Sequence, residues 1–161
     1  MELSADSDLG RIWNTPFSIP LLFSYTFTDA EFLSSFESDF DPWGNVHSGD
    51  SLPYIPQQQI YTSIGLGKAP WHLKFDNYFV DSMRTRAGRG PIVESLSTDS
   101  HWVSNVTGEF RLPGEKTVAA LFLSVRNLAN NEYIVARRPY GVRPGLPRTI
   151  MAGVRFRVGR P

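Results

Sequence analysis

Cysteine is absent from this sequence, so the chain has neither a disulfide framework nor a thiolate metal site. An excess of one charge is absent too, because 16 basic residues balance 16 acidic residues. Balanced charge creates no overall field that attracts nucleic acid, and we predict no nucleic-acid partner. Apolar runs of about 18 residues are also missing, and the N-terminal residues lack the basic and apolar regions of a signal peptide. The sequence therefore predicts no transmembrane helix and no signal peptide.

Apolar and polar residues alternate through most of the chain, and no helical periodicity is present. In one segment, Ile60, Ile64 and Leu66 fall on one face of a strand, while Tyr61 and Ser63 fall on the other. The same pattern recurs in segments that begin near Ile19, Gln57, Trp71, His101, Ala119 and Thr149. The predicted fold class is all-β, an antiparallel meander of about six long strands in one domain.

The connectors between these segments alternate in length. Long stretches at 29–56, 84–97 and 129–147 are separated by short turns near Gly67 and Pro113. Transmembrane β-barrels have this asymmetry, with short periplasmic turns and long extracellular loops. A tilted strand of about ten residues is also long enough to cross a bilayer. The pattern favours part of a transmembrane β-barrel.

Aromatic residues are predicted near both ends of the outward faces, where they would lie at the two membrane surfaces. The inner group is Trp71, Phe110 and Phe156, and the outer group is Phe27, Phe79 and Trp102. A soluble sheet with one wet face gives the same alternation, as does a small self-contained β-barrel that binds an apolar ligand. Alternation alone does not choose between these alternatives.

Four segments carry more specific information: YTFTDAEF at 25–32, GDSLPYIPQQQ at 49–59, VRNLANNEY at 125–133 and RPYGVRPGLPRT at 138–149. In this order and spacing they resemble the C-terminal barrel of TonB-dependent outer-membrane receptors, with ferric citrate and siderophore receptors as the nearest group. The third segment is similar to the family pattern Asn-Leu-x-Asp-x-x-Tyr, with Asn130 in place of aspartate. The resemblance identifies residues 1–161 as a partial receptor barrel domain.

The resemblance implies an active transporter in the outer membrane of a Gram-negative bacterium, with a ferric siderophore or iron citrate-type chelate as substrate. The implied partners are outer-membrane lipid, the rest of the barrel, an N-terminal plug, and the TonB complex acting through the plug region. The resemblance also implies a complete barrel of about 22 strands, and six strands cannot enclose a lumen of that size. We therefore expect a C-terminal fragment that is inactive alone, with a non-functional gene fragment as the alternative.

The chain departs from the family pattern at its end. Such receptors usually finish on an aromatic residue that the assembly machinery recognises, whereas Val158 takes that place here and Gly159-Arg160-Pro161 follows. Residues 1–5 would be the remainder of an earlier strand, and 6–18 a periplasmic turn.

The predicted ligand-binding residues are Arg137, Arg138 and Arg143 in the last long connector. Guanidinium groups bind carboxylates in a bidentate manner, and a ferric citrate-type ligand is anionic. The alternative is structural: these arginines would anchor their loop to acidic residues in neighbouring loops, or would face a polar lumen. The first long connector offers acidic partners. Those acidic residues are Asp29, Glu31, Glu37, Asp39, Asp41 and Asp50.

Catalytic and metal-binding patterns are not found. His47, His72 and His101 are isolated from one another, and no hydrolase or metalloprotease motif occurs. We predict no enzymatic activity, no catalytic residues, no metal site and no cofactor. The segment 86–90, Arg-Ala-Gly-Arg-Gly, only faintly resembles a phosphate-binding loop, and we predict a flexible loop tip there.

Overall fold

A computed structural model describes residues 1–112, 117–137 and 141–158. The predicted turn at Pro113 and Gly114, the predicted ligand residue Arg138 and the terminal 159–161 lie outside these ranges. Most of the described chain is β-structure, which confirms the all-β prediction. The long strands are β1 (Glu2–Asp8), β2 (Pro20–Phe27), β5 (Gln58–Lys68), β6 (Trp71–Val80), β7 (His101–Leu112), β8 (Thr117–Arg126) and β11 (Thr149–Val158).

These strands form one antiparallel sheet in the order β1-β2-β5-β6-β7-β8-β11. The sheet thus follows the order of the long strands along the chain, as predicted for a meander. It has seven strands because the residues expected to be the remainder of an earlier strand, 1–5, belong largely to β1, which pairs with β2 from Glu2 opposite Thr26 to Asp8 opposite Pro20. The predicted turn at 6–18 is corrected at its start, because residues 6–8 extend β1 through their pairing with β2. Within the described ranges, β1 and β11 each have one neighbour in this sheet, so it is open and not a closed barrel.

Short elements occupy the connectors. A four-residue helix, α1 (Leu9–Ile12), follows β1, and a 3-10 helix lies at Glu94–Leu96. Two small hairpins are formed by β3 (Phe36–Glu37) with β4 (Asn45–Val46), and by β9 (Ile134–Ala136) with β10 (Arg143–Pro144). No helix in the described part of the chain is long and apolar enough to cross a membrane.

The strand register separates the sheet into two faces. Ile60 lies opposite Phe79, and Phe79 lies opposite Trp102, so apolar residues face apolar residues across three strands. Because side chains alternate along each strand, the residues at the intervening positions share the other face, which we call the polar face. We call the first the apolar face; it is formed mainly by Leu3, Leu21, Phe23, Phe27, Ile60, Ile64, Leu66, Trp71, Leu73, Phe75, Phe79, Trp102, Val106, Phe110, Leu121, Leu123, Val125, Ile150, Val154 and Phe156.

The three long connectors all leave the same edge of the sheet, as predicted. We call them the first (28–57), second (81–100) and third (127–148) long loops. The turn at 69–70 and the α1 segment lie at the opposite ends of the strands. We call this end of the sheet the turn edge. Because neighbouring strands are antiparallel, successive connectors leave opposite ends of the strands. Long and short connectors alternate along the chain, so all the long ones lie at the same end.

Burial is concentrated away from the apolar face. The buried apolar residues are Val46, Val103, Ala120, Tyr133 and Ala136. Val103 and Ala120 lie on the polar face, and the others belong to the long loops. Tyr133 of the third long loop stacks on His101 of the polar face, whereas the apolar face is left uncovered.

Candidate functional site

The apolar face is left uncovered along the sheet. Trp71 is 65% exposed, Leu123 is 52% exposed and Phe156 is 68% exposed. Soluble monomers rarely expose contiguous apolar patches larger than about 300–600 Å². A seven-stranded sheet with one whole apolar face open therefore requires an apolar environment or a partner on that face.

Aromatic side chains form two groups at opposite ends of the apolar face. Trp71 and Phe110 pair across strands with ring centroids 4.4 Å apart near the turn edge. Phe79 and Trp102 pair at 5.0 Å near the long loops. Phe79 follows Trp71 by eight positions on β6, roughly 26 Å at about 3.3 Å per residue. This separation is of the same order as the apolar band of a transmembrane barrel, about 25 Å.

The remaining two predicted aromatic positions follow the same division. Phe27 lies opposite Gln58 at the loop end of β2, and Phe156 lies opposite Ala119 at the turn end of β11. The register therefore places all six aromatic residues at the strand ends expected from the sequence.

The polar face carries charged networks. Lys74 Nζ lies 3.3 Å from Asp76 Oδ1. Glu109 accepts a 2.9 Å hydrogen bond from Arg111 Nε through one oxygen and a 2.9 Å hydrogen bond from Arg155 Nη1 through the other. Such groups require water or charged partners, so this face suits an aqueous environment.

The third long loop folds over the polar face and encloses a small cavity of about 320 Å³. Tyr133 from this loop lines the cavity and stacks on His101 with ring centroids 4.0 Å apart. Burial, followed by a hydrogen bond with Tyr78, raises the pKa of Tyr133 to about 12. Its hydroxyl consequently stays protonated and can donate a hydrogen bond at any physiological pH.

Asn127 holds the third long loop in place from a fully buried position, with 1% of its surface exposed. Its Nδ2 donates to the carbonyl oxygens of Asn131 and Leu146, each at 2.9 Å. Its Oδ1 accepts from the Asn131 N–H at 2.9 Å, and its own backbone N–H donates to Asn105 Oδ1. The first asparagine of the Asn-Leu segment is therefore the structural centre of this loop.

The first and second long loops are fastened to each other. Arg89 Nε donates to Asp50 Oδ1 at 3.0 Å, and the Arg89 guanidinium also donates to the Ser48 carbonyl. Arg86 Nη2 donates to Asp41 Oδ1 at 2.5 Å. Backbone hydrogen bonds from Ala87 and Ser51 link the same two loops.

One sequence-based expectation is corrected by this arrangement. The segment 86–90 is not a free loop tip, because both of its arginines and two of its backbone groups bond to the first loop. Asp41 and Asp50 of the first loop bond to Arg86 and Arg89 of the second loop, which lies beside it in the antiparallel sheet. The expected contact of third-loop arginines with first-loop acids stays a prediction, since Arg138 lies outside the described ranges.

The predicted ligand-binding arginines differ in their surroundings. Arg137 Nε donates to the Ser97 carbonyl of the second loop. Arg143 is exposed on β10, opposite Ala136. Arg137 thus links the third loop to the second, as in the structural alternative, but through a backbone carbonyl and not through an acidic side chain. The exposed Arg143 is accessible to a ligand.

An aromatic cluster in the first long loop was not anticipated. Phe32, Phe36 and Phe40 surround Trp43 edge to face, with centroid distances of 5.4–5.8 Å. These residues are spaced by four, four and three positions, a helix-like spacing in a segment that forms no helix, so strand alternation could not reveal them. The density of aromatic residues between 32 and 43 was the available signal.

Acid should weaken the contact between Asp50 of the first loop and Arg89 of the second loop. The His47 N–H, assisted by Arg89, holds the pKa of Asp50 below its ordinary value of 3.8, although burial opposes this shift. A lowered folded-state pKa stabilises the fold above pH 3.8 and loses that contribution as the pH falls through the folded pKa. We expect pepsin to cleave these loops increasingly faster below pH 3.8.

The matched control is Asp50→Asn, which keeps the side-chain shape and removes the charge. Its cleavage rate relative to the unaltered chain should be high at pH 5 and should fall towards one in stronger acid. The ratio corrects for the pH dependence of pepsin itself. A ratio that does not vary with pH would show that the Asp50 charge does not hold these loops.

Among the residues that the structure describes, no three histidine or acidic side chains are grouped so that they could hold a metal ion. Comparison with known proteins adds no assignment: no protein-family model matches the chain, and no curated protein matches it.

Proposed function

We propose that the sheet is part of the wall of a transmembrane β-barrel, with its apolar face against lipid and its polar face towards a water-filled lumen. The exposed apolar face with aromatic residues at both ends is the observation that carries this proposal. A soluble barrel would reverse the two faces, because its apolar residues meet inside. The third long loop packs against the polar face, which favours that face as the interior.

The proposed membrane is the outer membrane of a Gram-negative bacterium, where β-barrels of this kind occur. In such barrels the long loops are extracellular and the short turns are periplasmic. The turn edge of the sheet would then face the periplasm, and β11 would run inward. The outer strands β1 and β11 would pair with further strands of the barrel. A water-filled lumen requires these additional strands, because even about eight strands leave an interior filled by side chains.

We further propose that the complete receptor is an active transporter of ferric siderophore or iron citrate-type chelates. The resemblance of the four sequence segments to TonB-dependent receptors supports this proposal. This part of the receptor would contribute barrel wall and three outer loops. Transport would also need the plug and the TonB complex, so the segment alone is expected to be inactive in transport.

The membrane proposal is tested by the conditions in which the full chain folds. We expect strand structure, measured by circular dichroism, to form when the unfolded chain is diluted into detergent micelles or lipid vesicles. Dilution into buffer alone should give aggregates, because the apolar face and both sheet edges stay uncovered. A soluble, folded monomer without detergent would contradict the proposal and favour a self-contained soluble protein.

Arginines of the third loop are the proposed contacts for an anionic chelate: Arg137, Arg138 and Arg143. We expect Arg143→Gln to weaken ferric citrate binding by about tenfold, the size of one lost charge-assisted hydrogen bond. Binding is measured by titrating the full chain in micelles and following its tryptophan fluorescence. Arg11→Gln, an exposed arginine at the turn edge, is the matched control.

Two results would contradict this ligand assignment. One is an equal loss of affinity in Arg11→Gln and Arg143→Gln, which would indicate a nonspecific charge effect. The other is an unaltered chain that folds in micelles and does not bind ferric citrate.

A further inference from the structure

A groove crosses the apolar face near the turn edge. Gly108 lies opposite Leu73 on one side and Leu123 on the other, both larger residues. A Cβ atom placed on Gly108 would have no neighbouring heavy atom within 4 Å, so the missing side chain leaves a depression. The groove has a volume of about 850 Å³, within the range of about 300–1,000 Å³ common for ligand sites. Its apolar lining includes Phe17, Leu66, Trp71, Leu73, Phe110 and Leu121.

Lys68 lies at the end of this groove next to the turn edge. Among the strand residues whose side chains are described, the register assigns every other charged residue to the polar face, so Lys68 is the single charge on the apolar face within that part of the chain. Its Nζ lies 4.9 Å from the centroid of the Phe17 ring. No carboxylate of the described residues pairs with it.

A lysine on a lipid-facing surface is costly unless its ammonium group reaches the interface or finds an anion. Lys68 stands beside Trp71, whose ring belongs to the aromatic group at the turn edge. The ammonium group would therefore lie at the depth of lipid phosphates. An apolar groove that ends at a cation without an acidic partner complements an amphiphile with an acyl chain and a negative head.

We propose that this groove binds an anionic glycerophospholipid, with its phosphate at Lys68 and an acyl chain over Gly108. This inference rests on the proposed membrane position of the apolar face. The loop end of the same face provides an internal comparison. There Trp102 pairs with Phe79, and the register places no charged residue beside them on the apolar face.

The test uses full-length chains with one tryptophan each in lipid bilayers. Replacing Trp13, Trp43 and Trp102 with Phe leaves Trp71 as the reporter in the groove, and replacing Trp13, Trp43 and Trp71 leaves Trp102 as the control. Brominated phosphatidylglycerol or brominated phosphatidylethanolamine is added to a phosphatidylethanolamine bilayer. Bromine quenches tryptophan on contact, so quenching reports which lipid occupies each position.

We expect about fivefold preference for phosphatidylglycerol at Trp71 and none at Trp102, since one lysine near lipid phosphates contributes about this factor. Lys68→Gln should remove the preference. Gly108→Leu should lower it by filling the groove, and the open space at Gly108 makes this variant compatible with the fold.

Equal quenching of Trp71 by both lipids would overturn the lipid site while leaving the membrane position intact. A preference that persists in Lys68→Gln would overturn it as well. Absence of quenching at both Trp71 and Trp102 with either lipid would contradict the proposed function itself.

Discussion

Replacing Ile64 with arginine should destabilise the inserted sheet by about 2–4 kcal/mol. Ile64 lies in the middle of β5 on the apolar face, is 43% exposed and pairs with Leu21 and Phe75 on the two neighbouring strands. Arginine on the lipid face near the membrane midplane costs about 2–4 kcal/mol in transmembrane barrels. Such a cost is a large fraction of the stability of a typical domain, about 5–15 kcal/mol. Unfolding by urea of the chain reconstituted in vesicles measures this change.

Ser63→Arg is the matched control because it introduces the same side chain one residue away. Ser63 pairs with Leu22 and Asp76 and lies on the polar face. We expect a change of less than about 1 kcal/mol there, as for a charged group at an accessible surface. In a soluble protein with the apolar face in water, Ile64→Arg would be nearly neutral. Similar stability of the two variants would therefore contradict a lipid-facing role for Ile64.

Replacing Asn127 with alanine should release the third long loop. The change removes the bonds from the buried Asn127 side chain to the Asn131 and Leu146 carbonyls and to the Asn131 N–H. Each of these three bonds contributes about 0.5–1.5 kcal/mol. Asn127 also has a φ of +50°, which adds about 1 kcal/mol for alanine. We expect a total loss of about 4 kcal/mol in urea unfolding in micelles.

The control is Asn14→Ala. Asn14 has a φ of +51°, so it carries the same backbone cost, but it is exposed and its side chain makes no hydrogen bond within the described residues. We expect a loss of about 1 kcal/mol from the backbone alone. Trypsin should cut the third loop after Arg137 in Asn127→Ala and leave it intact in Asn14→Ala. Equal effects of the two substitutions would show that the bonds of Asn127 do not hold the loop.

The long strands could be predicted because their signal is local. Residues such as Ile60, Ile64 and Leu66 alternate with polar neighbours, and that period directly reflects the two faces of the sheet. β1 was harder, because its sequence ELSADSD contains only two apolar residues, Leu3 and Ala5. β1 is a strand because its backbone forms hydrogen bonds with β2, and the sequence of β1 alone does not reveal this partner.

The loop contacts could not be predicted from spacing. Arg89 and Asp50 are 39 residues apart, and Arg137 reaches Ser97 across 40 residues. Each pair depends on which loops are neighbours above the sheet. Periodicity identifies the strands, but it contains no information about the paths of irregular loops. The charged residues were therefore recognisable as candidates, while their partners were not.

The most direct test of the membrane position is a spin-label scan along β5. The natural chain has no cysteine, so a single cysteine can be introduced at each position from 59 to 66 except Gly65, where a side chain would meet the Pro20 ring, and labelled without background. In reconstituted vesicles, electron paramagnetic resonance compares label accessibility to oxygen, which concentrates in lipid, with accessibility to a water-soluble nickel reagent. We predict alternation with a period of two: oxygen access at 60, 62, 64 and 66, and nickel access at 59, 61 and 63. Equal nickel access at both sets of positions would contradict the assignment of the apolar face to lipid.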